Sequence, residues 1–351
     1  MPALARSAPA TVSKANATRE NLRKSLLNWY DRAGRDLPWR VRTGRPEPYR
    51  VWLSEVMLQQ TTVAAVGPYF AKFVARWPDV AALAAARRED VLEAWAGLGY
   101  YSRARNLHAA AQALASQGFP HDEAGWRKAP GVGAYTAAAI AAIALGEPTN
   151  VVDGNVERVI ARLRALRTPL PDAKRQLRAL AGELVTPDRP GDWAQALMDL
   201  GATICTPRAP KCLLCPWRNA CAAFATGAPE NYPQRAAKAA RPQRYGVAFR
   251  VEREDAIWLV RRPDKGLLGG MAGLPTTEWR AKAWARNEAL RHAPAKAKWK
   301  RIGAVRHVFT HFALTLDVYQ SEAEPKGEGW WGDASALPTV FKKAAVLEAE
   351  R

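Results

Sequence analysis

Pro130-Gly131-Val132-Gly133-Ala134-Tyr135-Thr136 leads directly into the apolar run 137–145. Residues at helical spacing also precede it. The stretch reads as two helices joined by a hairpin, in which Gly131 and Gly133 let the backbone turn sharply. Bare N–H groups then face outward at the positive end of the second helix, where an anion binds readily. A nucleic-acid phosphate is the natural ligand, and such a contact is blind to base sequence. An ordinary Gly-Pro connection between two core helices would look the same in isolation. The rest of the chain separates the two readings.

The 351 residues carry 52 Lys and Arg against 33 Asp and Glu, a formal net charge of +19. A polyanion is the usual partner of so basic a protein, and nucleic acid is the commonest one. An anionic membrane is the competitor. The longest apolar run, 137–145, is about half of what a bilayer crossing needs, so no membrane partner is expected. Residues 1–20 have no apolar signal core and read as a disordered tail. Residues 21–228 form an expected all-α domain, which Gly and Pro breaks divide into about ten short helices. The polar, Pro-containing stretch 229–244 reads as a linker. From 245 to 351 the period changes. Strands are expected at 245–251, 256–261, 302–308 and 312–319, with helices at 281–292 and 342–350, an α+β domain.

All four cysteines fall in one segment, Cys205-x6-Cys212-x2-Cys215-x5-Cys221. Pro207, Pro210 and Pro216 exclude a regular helix there. A chain this long needs no disulfide staples, so the segment reads as a loop that turns four thiolates towards a metal centre. Zinc sites usually use two Cys-x2-Cys knuckles, and only one is present. The unequal outer spacings favour an iron–sulfur cluster over zinc. Arg208, Lys211 and Arg218 make the loop a basic finger suited to a phosphate backbone. Reduced cysteines imply a reducing compartment.

Two carboxylates stand out. Asp153 ends a Gly/Pro stretch and opens a helix, where an Asp normally caps. Cap N–H groups favour its charged form. Glu55 follows the helix start at Pro48 and shares a helical face with Trp52, Val56 and Gln59. Burial there would raise its pKa and suit it to general-acid work. A partly exposed, salt-bridged Glu is the plainer alternative.

Several stretches resemble the helix–hairpin–helix/Gly-Pro-Asp superfamily of DNA glycosylases, and within it the MutY-type adenine DNA glycosylases. They are Trp52-Leu53-Ser54-Glu55-Val56-Met57-Leu58-Gln59-Gln60-Thr61, Gly97-Leu98-Gly99-Tyr100-Tyr101, Val152-Asp153-Gly154-Asn155-Val156, Met198-Asp199-Leu200-Gly201-Ala202 and the four cysteine spacings. The resemblance is strong from about residue 28 to 225 and weaker beyond, where Arg306-His307-Val308-Phe309-Thr310-His311-Phe312 matches best. It implies a multi-domain chain: an all-α helix–hairpin–helix glycosylase domain with a [4Fe–4S] loop, then an α+β Nudix-like domain. It implies base excision repair by a monomer, cytoplasmic and held at the nucleoid by its DNA. The substrate would be duplex DNA with adenine opposite 8-oxoguanine or guanine.

The resemblance also implies roles. Glu55 would protonate adenine, and Asp153 would stabilise the sugar cation, with Tyr135 and Asn155 supporting them. Arg40 and Gln195 would contact the flipped base, although residues 43–46 look like extra loop length that shifts Arg40. Gln60, Thr61, Leu98 and Tyr100 would wedge the helix open around 8-oxoguanine, and Gly131 and Gly133 would hold phosphate. Cys205, Cys212, Cys215 and Cys221 would ligate the cluster. Phe309, Thr310 and His311 would read the oxidised base, with Thr310 where the family often has Ser. Related bifunctional lyases carry a Lys where this chain has Tyr135, which has no amine for a Schiff base. Such a lyase, or a non-catalytic iron–sulfur DNA-binding protein, is the rival reading.

Overall fold

The computed structural model describes residues 10–41, 43–236, 241–263, 267–309, 311–335 and 337–348, with side chains in the first helix from residue 18. The chain divides into two compact units between Ala237 and Lys238.

The first unit is helical. Its α-helices are α1 (Ala10–Ala33), α2 (Pro48–Leu58), α3 (Val63–Arg76), α4 (Val80–Ala85), α5 (Arg88–Ala94), α6 (Tyr101–Gln117), α7 (Glu123–Trp126), α8 (Ala134–Ile140), α9 (Gly154–Leu163), α10 (Lys174–Gly182), α11 (Pro190–Asp199) and α12 (Ala222–Ala225). Side-chain caps set several starts. Thr62 accepts from Ala65 N, Asp79 from Ala82 N, Asp122 from Gly125 N and Asp153 from Val156 N. The α1 helix begins inside the expected tail, because no Gly or Pro interrupts residues 10–33. It is tied down at Leu22, whose carbonyl accepts from Trp217 Nε1 in the cysteine loop at 2.9 Å. Both α8 and α11 widen at their ends into π-helical turns, Ala141–Leu145 and Leu200–Ile204.

Two apolar clusters hold this unit. One is built on Trp52, Phe70, Phe73, Trp95 and Trp126 and gathers α2–α8. The other is built on Leu26, Ile160, Leu177, Trp193 and Trp217 and gathers α1 and α9–α11. The α2 helix is buried on nearly every side, from Tyr49 to Met57. That goes beyond the single apolar face expected of it, and it places Glu55 deep in the unit.

The expected linker is shorter than 229–244. Tyr232 is buried, and Leu170 pairs with Arg235, its N–H donating to Gln234 O while its own carbonyl accepts from Ala236 N. The following strand starts at Gln243.

The second unit is α+β. It contains β1 (Gln243–Arg253), β2 (Ala256–Arg261), β3 (Ala272–Gly273), α13 (Arg286–Ala289), β4 (Lys300–Val308), β5 (Ala313–Ser321), β6 (Trp330–Gly332) and α14 (Thr339–Ala345). The sheet order is β3-β2-β1-β5-β4, with β6 on β2. The β1–β2 and β4–β5 hairpins are as expected. A parallel β1–β5 pairing in the register Val247↔Asp317 joins them. Leu314, Leu316 and Val318 alternate into the core beneath Phe341 of α14. The helix expected at 281–292 is one α-turn plus a 3-10 turn. Trp284 shortens it, since its Nε1 donates back to Glu278 O and Arg280 stacks on its ring at 3.7 Å. The last helix starts three residues earlier than expected, just after Pro338, and ends at Ala345. Among the described residues, no helix is long and apolar enough to cross a membrane.

Candidate active site

Beside the first apolar cluster, between α2, α8 and the start of α9, the first unit opens a cavity of about 840 Å³. Its wall brings together Arg40, Glu55, Gln60, Thr61, Gly131, Gly133, Tyr135, Asp153, Asn155 and Gln195. Ten of the side chains and turns singled out in the sequence therefore converge on one place. Leu98 does not: it is 7% exposed and part of the core. Tyr100, half exposed, is the side chain its loop offers to solvent. Phe309 and His311 belong to the second unit, at the β4–β5 turn, and Thr310 lies outside the described residues. There Phe309 stacks on Trp279 at 5.5 Å and meets His307 edge-on at 4.5 Å.

Glu55 is 5% exposed. Burial raises its carboxyl to about 7, against the downward pull of Tyr135 and with further upward push from Asp153, while Arg40 pulls it down. The acid is thus poised to hold a proton near neutrality and to release it. The Tyr135 hydroxyl also lies 3.8 Å from Met198 Sδ, so it is fixed on the far side.

Asp153 is the N-cap of α9. Its Oδ1 accepts from Val156 N and its Oδ2 from Asn155 Nδ2, both at 2.7 Å. The two bonds fix the position of both carboxylate oxygens. The Asn155 amide is itself oriented by Arg158, whose Nη2 donates to Asn155 Oδ1 at 2.9 Å and to Gly201 O at 2.8 Å. Arg158 Nε reaches Cys205 O at 2.7 Å. Gly201 must be small here, because a Cβ on it would sit 2.6 Å from Asn155 Cβ.

Arg40 lies in the cavity wall. Both its terminal nitrogens bond Asp199, at 2.7 and 2.8 Å, and Asp199 is fully buried. Arg35 adds its backbone N–H and Nε to the same carboxylate. Burial alone would raise Asp199, but Arg40 and Arg35 hold it below the usual carboxylate range. This bidentate pairing fixes the guanidinium plane against the cavity. Gln195 is buried, with Nε2 donating to Gly191 O at 3.2 Å. At the hairpin, Gly131 has φ +75°, and a Cβ there would lie 2.7 Å from Asn106 Cβ. Only glycine satisfies both constraints.

Cys205, Cys212, Cys215 and Cys221 are free thiols that line one small apolar cavity with Arg162, Ile204 and Phe224. Arg162, 2% exposed, donates to Cys205 Sγ at 3.4 Å and to the carbonyls of Thr206, Pro207 and Tyr232. Among the described residues, no three His, Cys, Asp or Glu side chains close on a single ion. Four thiols around one shared space are a donor set that could hold a metal centre.

Four residues of this neighbourhood had no role in the sequence reading: Arg35, Arg103, Arg158 and Asp199. Only Asp199 left a signal there, as the acid of the quoted stretch Met198-Asp199-Leu200-Gly201-Ala202, between apolar neighbours on both sides.

Residues 53–187 match the HhH-GPD superfamily base excision DNA repair protein family, and residues 246–347 match the NUDIX domain family. The human adenine DNA glycosylase is 36% identical over 92% of this chain and 72% of its own length. The mouse enzyme of the same name is 35% identical over 92% and 76%. Among solved structures, a thermostable thymine-DNA glycosylase aligns at a TM-score of 0.54 and 28% identity, over 60% of this chain and 99% of that one. An endonuclease III–DNA complex shares the fold at 20% identity and a TM-score of 0.51. With the carboxylate pair, the hairpin and the four thiols in place, these likenesses establish that the chain belongs to the adenine DNA glycosylase family.

Proposed function

We propose that this protein hydrolyses the N-glycosidic bond of adenine opposite 8-oxoguanine or guanine in duplex DNA, without cutting the strand. One observation carries the reading: a buried acid with its pKa raised to about 7 shares a cavity with a carboxylate held by two hydrogen bonds. One neutral acid and one charged carboxylate is the division of labour that glycoside cleavage requires.

The target adenine leaves the base stack, since its glycosidic bond cannot be reached inside it. Gln60, Thr61 and Tyr100 fill the step it vacates. The hairpin at Gly131 and Gly133 takes a backbone phosphate on its N–H groups. In the cavity, Gln195 and Arg40 orient the base. Protonated Glu55 gives its proton to a ring nitrogen, which turns adenine into a leaving group. Positive charge then builds on the sugar beside ionised Asp153, which stabilises it or captures it covalently. Water completes hydrolysis. Tyr135 supplies no amine, so no Schiff base forms at this position.

Cys205, Cys212, Cys215 and Cys221 would hold a [4Fe–4S] cluster. Such a group supplies a rigid cross-link and a one-electron centre. The second unit would read the oxidised base through Phe309, Thr310 and His311. Glu288, one of the two acids between residues 266 and 292, is bound bidentately by Arg280, which supports base reading over metal-dependent hydrolysis. A DNA-bound monomer in a reducing compartment completes the proposal.

The test is a panel of duplexes with A opposite 8-oxoguanine, G, C or T, and T opposite G. Adenine release from the first two, with no borohydride crosslinking to abasic DNA, is expected. Release of another base, or efficient crosslinking, would overturn the assignment. In the same panel, His311→Ala is expected to narrow the preference for 8-oxoguanine over guanine. Gly201→Ala is expected to slow adenine release about tenfold, because the methyl displaces Asn155 at an overpacking cost of about 1–3 kcal/mol. A parental rate in single-turnover assays would show that Asn155 need not stay where it is.

A further inference from the structure

Arg103 is 8% exposed and lies in the first turn of α6. Its guanidinium meets six acceptors. Nη1 donates to the carbonyls of Val56 (3.1 Å), Met57 (2.9 Å) and Gln59 (2.6 Å) at the end of α2. Nη2 donates to Thr61 Oγ1 (3.2 Å) and to the carbonyls of Leu98 (3.0 Å) and Gly99 (3.3 Å). The first group are carbonyls that a helix end leaves without partners, and a cation is favoured there. Thr61 follows directly on that helix end, whereas Leu98 and Gly99 belong to a loop some forty residues further along the sequence. One side chain therefore ties the segment 59–61 to the segment 98–100.

Each segment carries a non-glycine residue in the left-handed region: Gln60 at φ 56° and Tyr100 at φ 48°. Such backbones persist only where their surroundings hold them, and they gather at working sites. Both side chains are exposed, and the Tyr100 ring lies 5.5 Å from the Arg103 guanidinium carbon. The backbones are locked while the side chains project. Burying a cation against six neutral acceptors is a strange way to gain stability alone, because its Nε stays buried without a partner.

We propose that Arg103 is a positioning residue that sets Gln60 and Tyr100 at a fixed spacing, so that the two enter the DNA as one rigid wedge. This rests on the reading that Gln60 and Tyr100 occupy the base stack at the mispair. Arg103 touches neither base nor sugar, and it acts through these two residues. Its planar fork is what allows one cation to serve two loops; a lysine in its place reaches fewer of the six acceptors.

The test is a double-mutant cycle in single-turnover adenine release from an A·8-oxoguanine duplex. Tyr100→Ala and Arg103→Lys are each expected to slow release about tenfold, the size of one lost buried hydrogen bond or ring contact. The double variant is expected to be no more than about twofold slower than Tyr100→Ala alone, because a wedge that has lost one of its two members no longer depends on the spacing between them. The pH midpoint of release stays with Glu55 and is unmoved. Effects that multiply in the double variant would overturn the proposal, as would a parental rate for Arg103→Lys. A parental rate for Tyr100→Ala would instead remove the wedge reading itself, and this inference with it. If Arg103→Lys does not fold, Arg103→Gln, which keeps a donor but not the fork, carries the same cycle with the same outcomes.

Discussion

An Asp153→Asn protein is expected to bind mispaired duplex as tightly as the parent and to release adenine about a thousandfold more slowly. The fold tolerates the change, since Asn caps a helix nearly as well as Asp. The chemistry does not. Asp153 faces two donors on two different oxygens, Val156 N and Asn155 Nδ2. An asparagine offers one oxygen and one NH2 group. If its oxygen takes the cap, its NH2 group meets the Asn155 NH2 group. Asn155 cannot turn over to relieve this without losing Arg158, which donates to its Oδ1. The variant is therefore expected to lose the charge proposed to stabilise the sugar cation and also to disturb the group beside it. Single-turnover release measured with duplex binding separates the two effects. Release within tenfold of the parent would exclude Asp153 as the stabilising charge.

Glu55→Gln is expected to slow release by about 10²–10⁴-fold at neutral pH, the usual worth of a positioned general acid. The parent's pH profile gives the sharper check. Only the protonated acid can give a proton to adenine, and burial holds that proton up to about pH 7. Release is therefore flat below about pH 7 and falls about tenfold per unit above it. Glu55→Gln keeps its residual rate across the range. A parental profile flat from about pH 6 to 9 would place the proton on another group.

Much of this site is legible in the sequence, and the reason is local. Asp153 is recognisable because a cap depends on residues within one turn, and Gly131 because a hairpin demands a left-handed residue at one place. Glu55 is recognisable from Trp52 and Val56 beside it. The unread residues have distant partners. Asp199 is bound by Arg35 and Arg40, Arg158 by Gly201 and Cys205, and Arg103 by the carbonyls that close α2. No spacing rule reaches across 43–164 residues, and surface arginines look the same as buried ones. The second unit repeats the lesson. Its hairpins follow from alternation in adjacent strands, while the parallel β1–β5 pairing joins strands about seventy residues apart. Leu98 shows the converse: a motif residue whose side chain is spent on the core, leaving Tyr100 as the exposed member of its loop.

The buried acid on α2 also bears on folding. An unfolded chain ionises Glu55 near 4.5, whereas the folded one keeps the proton up to about 7. The folded state thus binds more protons between those values, so the stability this group lends is complete below about pH 4.5 and fades as pH rises towards 7. Above that, the native state is poorer by about 3 kcal/mol than it would be with the proton retained. On the alkaline side the inactive Glu55→Gln protein, with no charge to bury, is therefore expected to melt at a higher temperature than the active parent. The group proposed to protonate adenine is, over that range, a weak point in its own scaffold.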